Sequence, residues 1–123
     1  MEKKLYREEL TQMEINAHRA SLNGEPAVYC GTYGKYNNGD ISGMWVDVAS
    51  FTDYEEFMEF CERVHADEED VELMFQDYEG FPYAWYSESG MGEETFDKIK
   101  EFAKLTDNER EAYELYLNNH NSE

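Results

Sequence analysis

Positive charge is nearly missing from the middle of this chain. Between Asp40 and Asp97 there is one base, Arg63, against eighteen acids, a local net of −17 (1 − 18) out of a formal −19 for all 123 residues. The flanks do not share the bias: residues 1–39 hold five bases and five acids, and residues 98–123 hold four bases and six acids. Ordinary binding to nucleic acid or to an anionic membrane needs a basic patch, so neither is expected. Like charges packed on one body destabilise it by self-repulsion. Such a cost is more easily explained if a cationic partner, a basic protein groove or a divalent metal, binds there.

Other absences narrow the class further. No apolar run approaches the roughly 18 residues of a membrane span. The N-terminus, MEKKLYREELTQ, has no apolar stretch behind its charges and does not read as a signal peptide. The expected location is cytoplasmic. Two cysteines, Cys30 and Cys61, are too few for a disulfide framework and are expected as free thiols. There is no G-x-S-x-G, no P-loop and no dinucleotide fingerprint, and the glycines at 31, 34, 39 and 43 read as turn and strand positions. Paired carboxylates are everywhere, so no single pair marks a hydrolytic site. His18, His65 and His120 lie far apart without a partner pattern. Neither an enzyme nor a cofactor is expected.

Aromatic residues are abundant: ten Tyr, seven Phe and two Trp. Acidic disordered tails are poor in aromatics, so this composition predicts a packed core. The length suits one domain, or one with a small extension.

Local patterns predict a small α+β fold. Residues 1–25 read as an N-terminal extension with a candidate helical stripe, Tyr6, Leu10, Met13 and Ala17, ending at Asn23-Gly24. Residues 26–33 and 41–48 read as strands around an Asn37-Asn38-Gly39 turn, with Met44, Val46 and Val48 on one face. Phe51–His65 reads as a helix with a Thr52/Glu55 capping box and an apolar stripe of Tyr54, Phe57, Met58, Cys61 and Val64. Its other face stacks like charges, each adjacent pair costing on the order of 0.2–0.5 kcal/mol.

Residues 71–76 read as a third strand, a turn follows at Asp77–Gly80, and Phe81–Tyr86 is a candidate fourth strand. A helix from about Glu93 to Leu105 turns Phe96, Ile99, Phe102 and Ala103 inward, and a Thr106/Glu109 capping box starts a last helix to about Asn119. The expected architecture is a three- to four-stranded antiparallel sheet with one packed amphipathic helix and a C-terminal helical pair. It divides into an extension (1–25), an α+β unit (26–90) and a helical segment (91–123).

Two candidate cation sites have plain alternatives. Cys61 and His65 are four apart on one helix, and Cys30 could approach from the strand, but no zinc spacing motif is present and a core cysteine with a helix-end histidine is the favoured reading. The run Asp67-Glu68-Glu69-Asp70 lacks the alternating ligands and central glycine of a calcium loop. No metal is expected. A solvated acidic surface is the plain alternative for the charge itself. Its density favours something more: 17 charges equal those on about 29 Å of duplex DNA, roughly eight or nine base pairs.

The run Ala27-Val28-Tyr29-Cys30-Gly31-Thr32-Tyr33-Gly34-Lys35-Tyr36-Asn37-Asn38-Gly39, then Ile41-Ser42-Gly43-Met44-Trp45-Val46-Asp47, resembles the ArdA antirestriction proteins. A second block, Met74-Phe75-Gln76-Asp77-Tyr78-Glu79-Gly80-Phe81-Pro82, does too. The resemblance covers roughly residues 26–90. It implies a DNA mimic of the kind carried by mobile elements, which occupies the DNA-binding groove of type I restriction–modification enzymes at their methyltransferase core.

Carried over, the phosphate-mimicking, partner-binding carboxylates would be Asp40, Asp47, Asp53, Glu55, Glu56, Glu59, Glu62, Asp67, Glu68, Glu69, Asp70, Glu72, Asp77 and Glu79. Gly31, Tyr33, Gly34, Tyr36, Asn38 and Gly39 would build the strand–turn–strand that places them. Family members are typically longer and have three domains. This chain is expected to hold the first and a short helical second part. The family's homodimer depends on the C-terminal region and does not carry over directly. The alternative is an acidic adaptor for another basic DNA-binding or anti-phage defence protein.

Overall fold

A computed structural model describes residues 4–120, the last two as backbone only. Residues 1–3 of the expected extension, residues 121–123 and the His120 side chain lie outside what is described. The described residues form a three-stranded antiparallel sheet and five helices. Strand β1 (Ala27–Thr32) is central, between β2 (Met44–Asp47) and β3 (Leu73–Glu79). Across it, Val28 faces Val46 and Tyr78, and Cys30 faces Met44 and Phe75.

Successive side chains in a strand alternate between faces. Val28 and Cys30 therefore share the core face, and Tyr29 points the other way, edge-on to Trp45 at 5.7 Å between ring centroids. The β1–β3 register shifts between Tyr29 and Cys30, opposite Gln76. The extra residue is a bulge, which resets the alternation. Phe75 and Tyr78 thus both pack on the core, and Asp77 and Glu79 are both exposed.

Helix α1 (Gln12–His18) precedes the sheet, and α2 (Tyr33–Asn37) lies between β1 and β2. Helices α3 (Tyr54–Val64) and α4 (Gly92–Ala103) supply the rest of the core, and α5 (Asp107–His120) follows. Phe57 of α3 is the hub: its ring centroid lies 5.4 Å from Phe51, 5.9 Å from Phe75 and 5.4 Å from Phe96 of α4. All four rings are essentially fully buried. Each such burial contributes roughly 1.5–3 kcal/mol.

The expected strands, the helix after them and the C-terminal pair are present, with Phe96, Ile99 and Phe102 buried and the Thr106/Glu109 box formed. Several local expectations are corrected. The β1–β2 connection is not a tight hairpin, because Thr32 caps α2 by accepting from Lys35 N–H, and Gly39 at φ 78° follows the helix. Helix α3 starts later than expected: Asp53, not Thr52, accepts from Glu56 N–H at 2.9 Å, and Glu56 reaches back to Thr52 N–H. Phe60, absent from the expected stripe, is buried.

The fourth strand is a short 3-10 turn, Tyr83–Trp85, entered from Pro82, which cannot donate to a ladder. Here Tyr86 stacks on Tyr78 at 4.6 Å rather than joining the sheet. Strand β3 continues through the expected turn to Glu79. It ends at Gly80, whose φ of 79° and contact with the Glu25 carbonyl leave no room for a side chain.

The N-terminal stripe is also corrected. Met13 is 81% exposed, and residues preceding Gln12 are not helical. His18 turns inward instead, stacked on Phe51 at 4.0 Å. Arg19 bridges to Val46 and Ala20 N–H donates to Trp45 C=O, so this arm covers the β2 edge. Phe75 N–H donates to Glu88 C=O, so the 86–88 loop covers part of the β3 edge. Covered edges remove the template for strand-to-strand aggregation.

Candidate functional site: the acidic surface

The carboxylates of the Asp40–Asp97 segment divide into those used internally and those left to solvent. Asp40 accepts from Ser42 N–H at 2.8 Å and from its hydroxyl, and these bonds hold its carboxyl below the usual range. Asp47 is half-buried and accepts from Ala49 N–H. Burial pushes its pKa up. Asp53 and Glu56 cap α3, and Asp77 accepts from Tyr78 N–H. Asp67 pairs with Lys35 at 2.9 Å. Glu68 is half-buried beneath Gly34, and its Oε1 has no hydrogen-bond partner among the described residues.

The carboxylates of Glu55, Glu69, Asp70, Glu72 and Glu79 are exposed and make no hydrogen bond or ion pair among the described residues. Glu59 is largely exposed, 3.9 Å from Arg63, and Glu62 is half-buried. Glu55, Glu59 and Glu62 follow helical spacing on the side of α3 away from Phe57 and Cys61. Glu93, Glu94 and Asp97 on α4 extend the exposed acids beyond the expected set. The segmental charge count already included them.

The bases behave differently. Lys35 is held between Asp67 and the His65 ring, with its Nζ 3.0 Å from Nδ1. Arg63 turns to the N-terminal arm, donating to the carbonyls of Glu8 and Glu9 and to both oxygens of Glu14. Lys100 donates to the carbonyls of Phe51 and Thr52. Arg110 donates to those of Phe102, Ala103 and Gly24 and pairs with Glu25. Arg7 donates to Glu68 C=O. Five of the ten bases are therefore staples inside the fold. They do little to neutralise the acids at the surface.

The candidate metal trio does not converge as ligands. His65 is fully buried, and its Nε2 lies 3.0 Å from the Cys30 carbonyl, so both ring nitrogens are engaged by the chain. The Cys30 thiol points to Cys61 C=O at 3.7 Å. The Cys61 side chain, as a hydrogen-bond partner of the Cys30 sulfur, with His65 and Lys35 nearby, pulls the Cys30 thiol pKa down, while burial pushes that of Cys61 up. No group of three or more His, Cys, Asp or Glu among the described residues is arranged to hold a metal ion. No helix among them is long and apolar enough to cross a membrane.

These features define a small α+β protein with a strongly acidic surface. A family model described as antirestriction protein (ArdA) matches residues 28–123, and the chain belongs to that family. Antirestriction is accordingly its function, and restriction enzymes in general are what the family acts on. The match extends past residue 90 through both C-terminal helices, while α1 and the arm before β1 precede it. No curated protein and no solved structure matches the chain.

Proposed function

We propose that this chain is a DNA mimic that occupies the DNA-binding groove of type I restriction–modification enzymes at the methyltransferase core. It blocks restriction there, together with any modification that needs the same groove. The observation that carries this reading is the division of labour among charges. Five of the ten bases are drawn into the fold as staples, while Glu55 and Glu59 of α3, Glu69, Asp70 and Glu72 after it, Glu79 of β3, and Glu93, Glu94 and Asp97 of α4 stay exposed. A groove lined with Lys and Arg for phosphates would meet closely spaced anions and no bases to read. Residues 26–90 supply most of these charges, and 91–123 extend them.

Attraction of this kind accelerates encounter and weakens with salt. The test is cleavage of unmodified DNA by a type I enzyme with rising amounts of this protein. A histone-like basic protein is the binding control. Inhibition relieved by excess enzyme, with weaker binding to the control, supports the reading. Equal binding to both would make the charge generic and the protein an adaptor.

A further inference from the structure

A second surface has a different chemistry. Helices α4 and α5 meet at a junction where Arg110 ties the first turn of α5 to the carbonyls of Phe102 and Ala103. Between them lies an open groove of about 480 Å³. Its floor is apolar: Trp85, Phe102, Leu105 and Tyr113, with Trp85 edge-on to Phe102 at 5.6 Å and 5.8 Å from Tyr113. Its α4 wall carries Glu94, Asp97 and Glu101 against one lining base, Lys98, and beside the groove Lys104 pairs with Glu101 at 2.8 Å, both groups largely exposed. The Lys98–Glu94 pair is long, 3.9 Å, and both partners are largely exposed.

We infer that this groove is an anchor site for a cationic segment of a partner protein, taking a leucine- or phenylalanine-like side chain whose neighbours are Lys or Arg. The inference rests on the proposed reading that the partner is a basic protein. An aromatic floor accepts the apolar side chain or the stem of an arginine, and its ring faces attract the guanidinium. The carboxylate wall selects positive neighbours. A nucleic-acid backbone is excluded by the same wall. Salt screens the exposed carboxylates but not apolar burial, so the groove supplies the part of the affinity that persists at high salt. Buried aromatic contacts of this kind dominate interface energetics.

The test uses the full chain with Trp45→Phe, which leaves Trp85 as the sole indole. Two synthetic helical peptides of equal positive charge are titrated, one with leucine and phenylalanine along one face, the other with serine there. The expected result is a saturable blue shift of Trp85 emission with the apolar-faced peptide that persists at about 0.5 M salt, where screening is strong. Serine-faced peptide binding is lost there. Tyr113→Ala weakens the apolar-faced peptide by about tenfold, and Glu94→Gln with Asp97→Asn and Glu101→Gln weakens both peptides at low salt.

An unmoved Trp85 signal, or two peptides that bind alike and release alike with salt, overturns the inference. Its failure is separable from that of the proposed function. A methyltransferase that binds the Tyr113→Ala chain normally, with no peptide docking, removes the groove and leaves the mimicry. Peptide docking with no methyltransferase binding does the reverse.

Discussion

Arg63 and Glu14 form a two-pronged ion pair, Nη1 to Oε2 at 2.8 Å and Nη2 to Oε1 at 3.0 Å. Arg63 is the single base between Asp40 and Asp97, and Glu14 lies in the arm that precedes the family-matched residues. The pair thus does two things. It fastens α1 across α3, and it removes from the acidic surface the charge that would most directly neutralise it.

The pair has a pH signature. The Arg63 guanidinium, with help from Thr11, holds the Glu14 carboxyl at about 2 instead of its ordinary 4.5. A depressed folded-state value means the contribution is complete above about 4.5 and disappears as pH falls towards about 2. Glu14→Gln should therefore melt below the parent at neutral pH, and the two melting curves should converge across that window. A constant difference down to the lowest pH would show that the charge of Glu14 is not what matters.

The arm should matter to solubility as well as stability. Removing residues 1–24 strips the Arg19–Val46 bridge, the Ala20–Trp45 hydrogen bond and the His18–Phe51 stack. An uncovered β2 edge is a pairing template. The truncated chain should melt lower and show concentration-dependent association by light scattering. A monomeric truncation with the parent's melting temperature would contradict the role given to the arm.

Glycines separate backbone limits from side-chain limits. A Cβ at Gly43 would meet the Cys30 carbonyl, and one at Gly80 would meet that of Glu25 at a φ of 79°. A Cβ at Gly34 would meet only the Glu68 carboxylate, 2.7 Å away, at the end of a side chain that can turn aside. Gly43→Ala and Gly80→Ala should each cost about 1–3 kcal/mol in denaturant melts. Gly34→Ala should cost well under 1 kcal/mol, since the Glu68 end can move aside. Equal losses at all three positions would mean that the contacts at 43 and 80 are not what sets the cost.

Single acidic substitutions should change inhibition little, because many exposed carboxylates share the work. Glu55→Lys, Glu59→Lys and Glu62→Lys together reverse six units of charge on one side of α3 (three losses of −1 and three gains of +1). The triple variant should keep its fold and inhibit restriction at least tenfold less well, on the order of 1.4 kcal/mol. Unchanged inhibition by the folded triple variant would place the contact surface elsewhere.

Much of this was legible in the sequence. Alternation placed β1 and β2 with Val46 and Val48 inward, helical spacing placed Phe57, Phe96, Ile99 and Phe102 in the core, and the segmental count marked the acidic surface. What escaped was set by tertiary contacts. The bulge at Gln76 carries β3 on to Glu79 because the strand can resume alternation after an extra residue. The 81–86 run became a turn because Pro82 cannot pair and Tyr86 finds Tyr78.

The N-terminal stripe failed at Met13 because the arm meets the body through His18 and Leu10, and a short helix takes its face from what it docks on. The stapling of Lys35, Arg63, Lys100 and Arg110 has no sequence signal, since tertiary folding brings their partners to them: the His65 ring and Asp67 for Lys35, and mostly backbone carbonyls for the others.

The most direct test of the account is binding to a purified type I methyltransferase, with and without competing duplex DNA, at low and moderate salt. DNA mimicry requires binding that excludes the duplex, weakens as salt rises, and weakens further in the Glu55, Glu59 and Glu62 triple reversal. Absence of binding at low salt, or binding that leaves DNA in place, would contradict it.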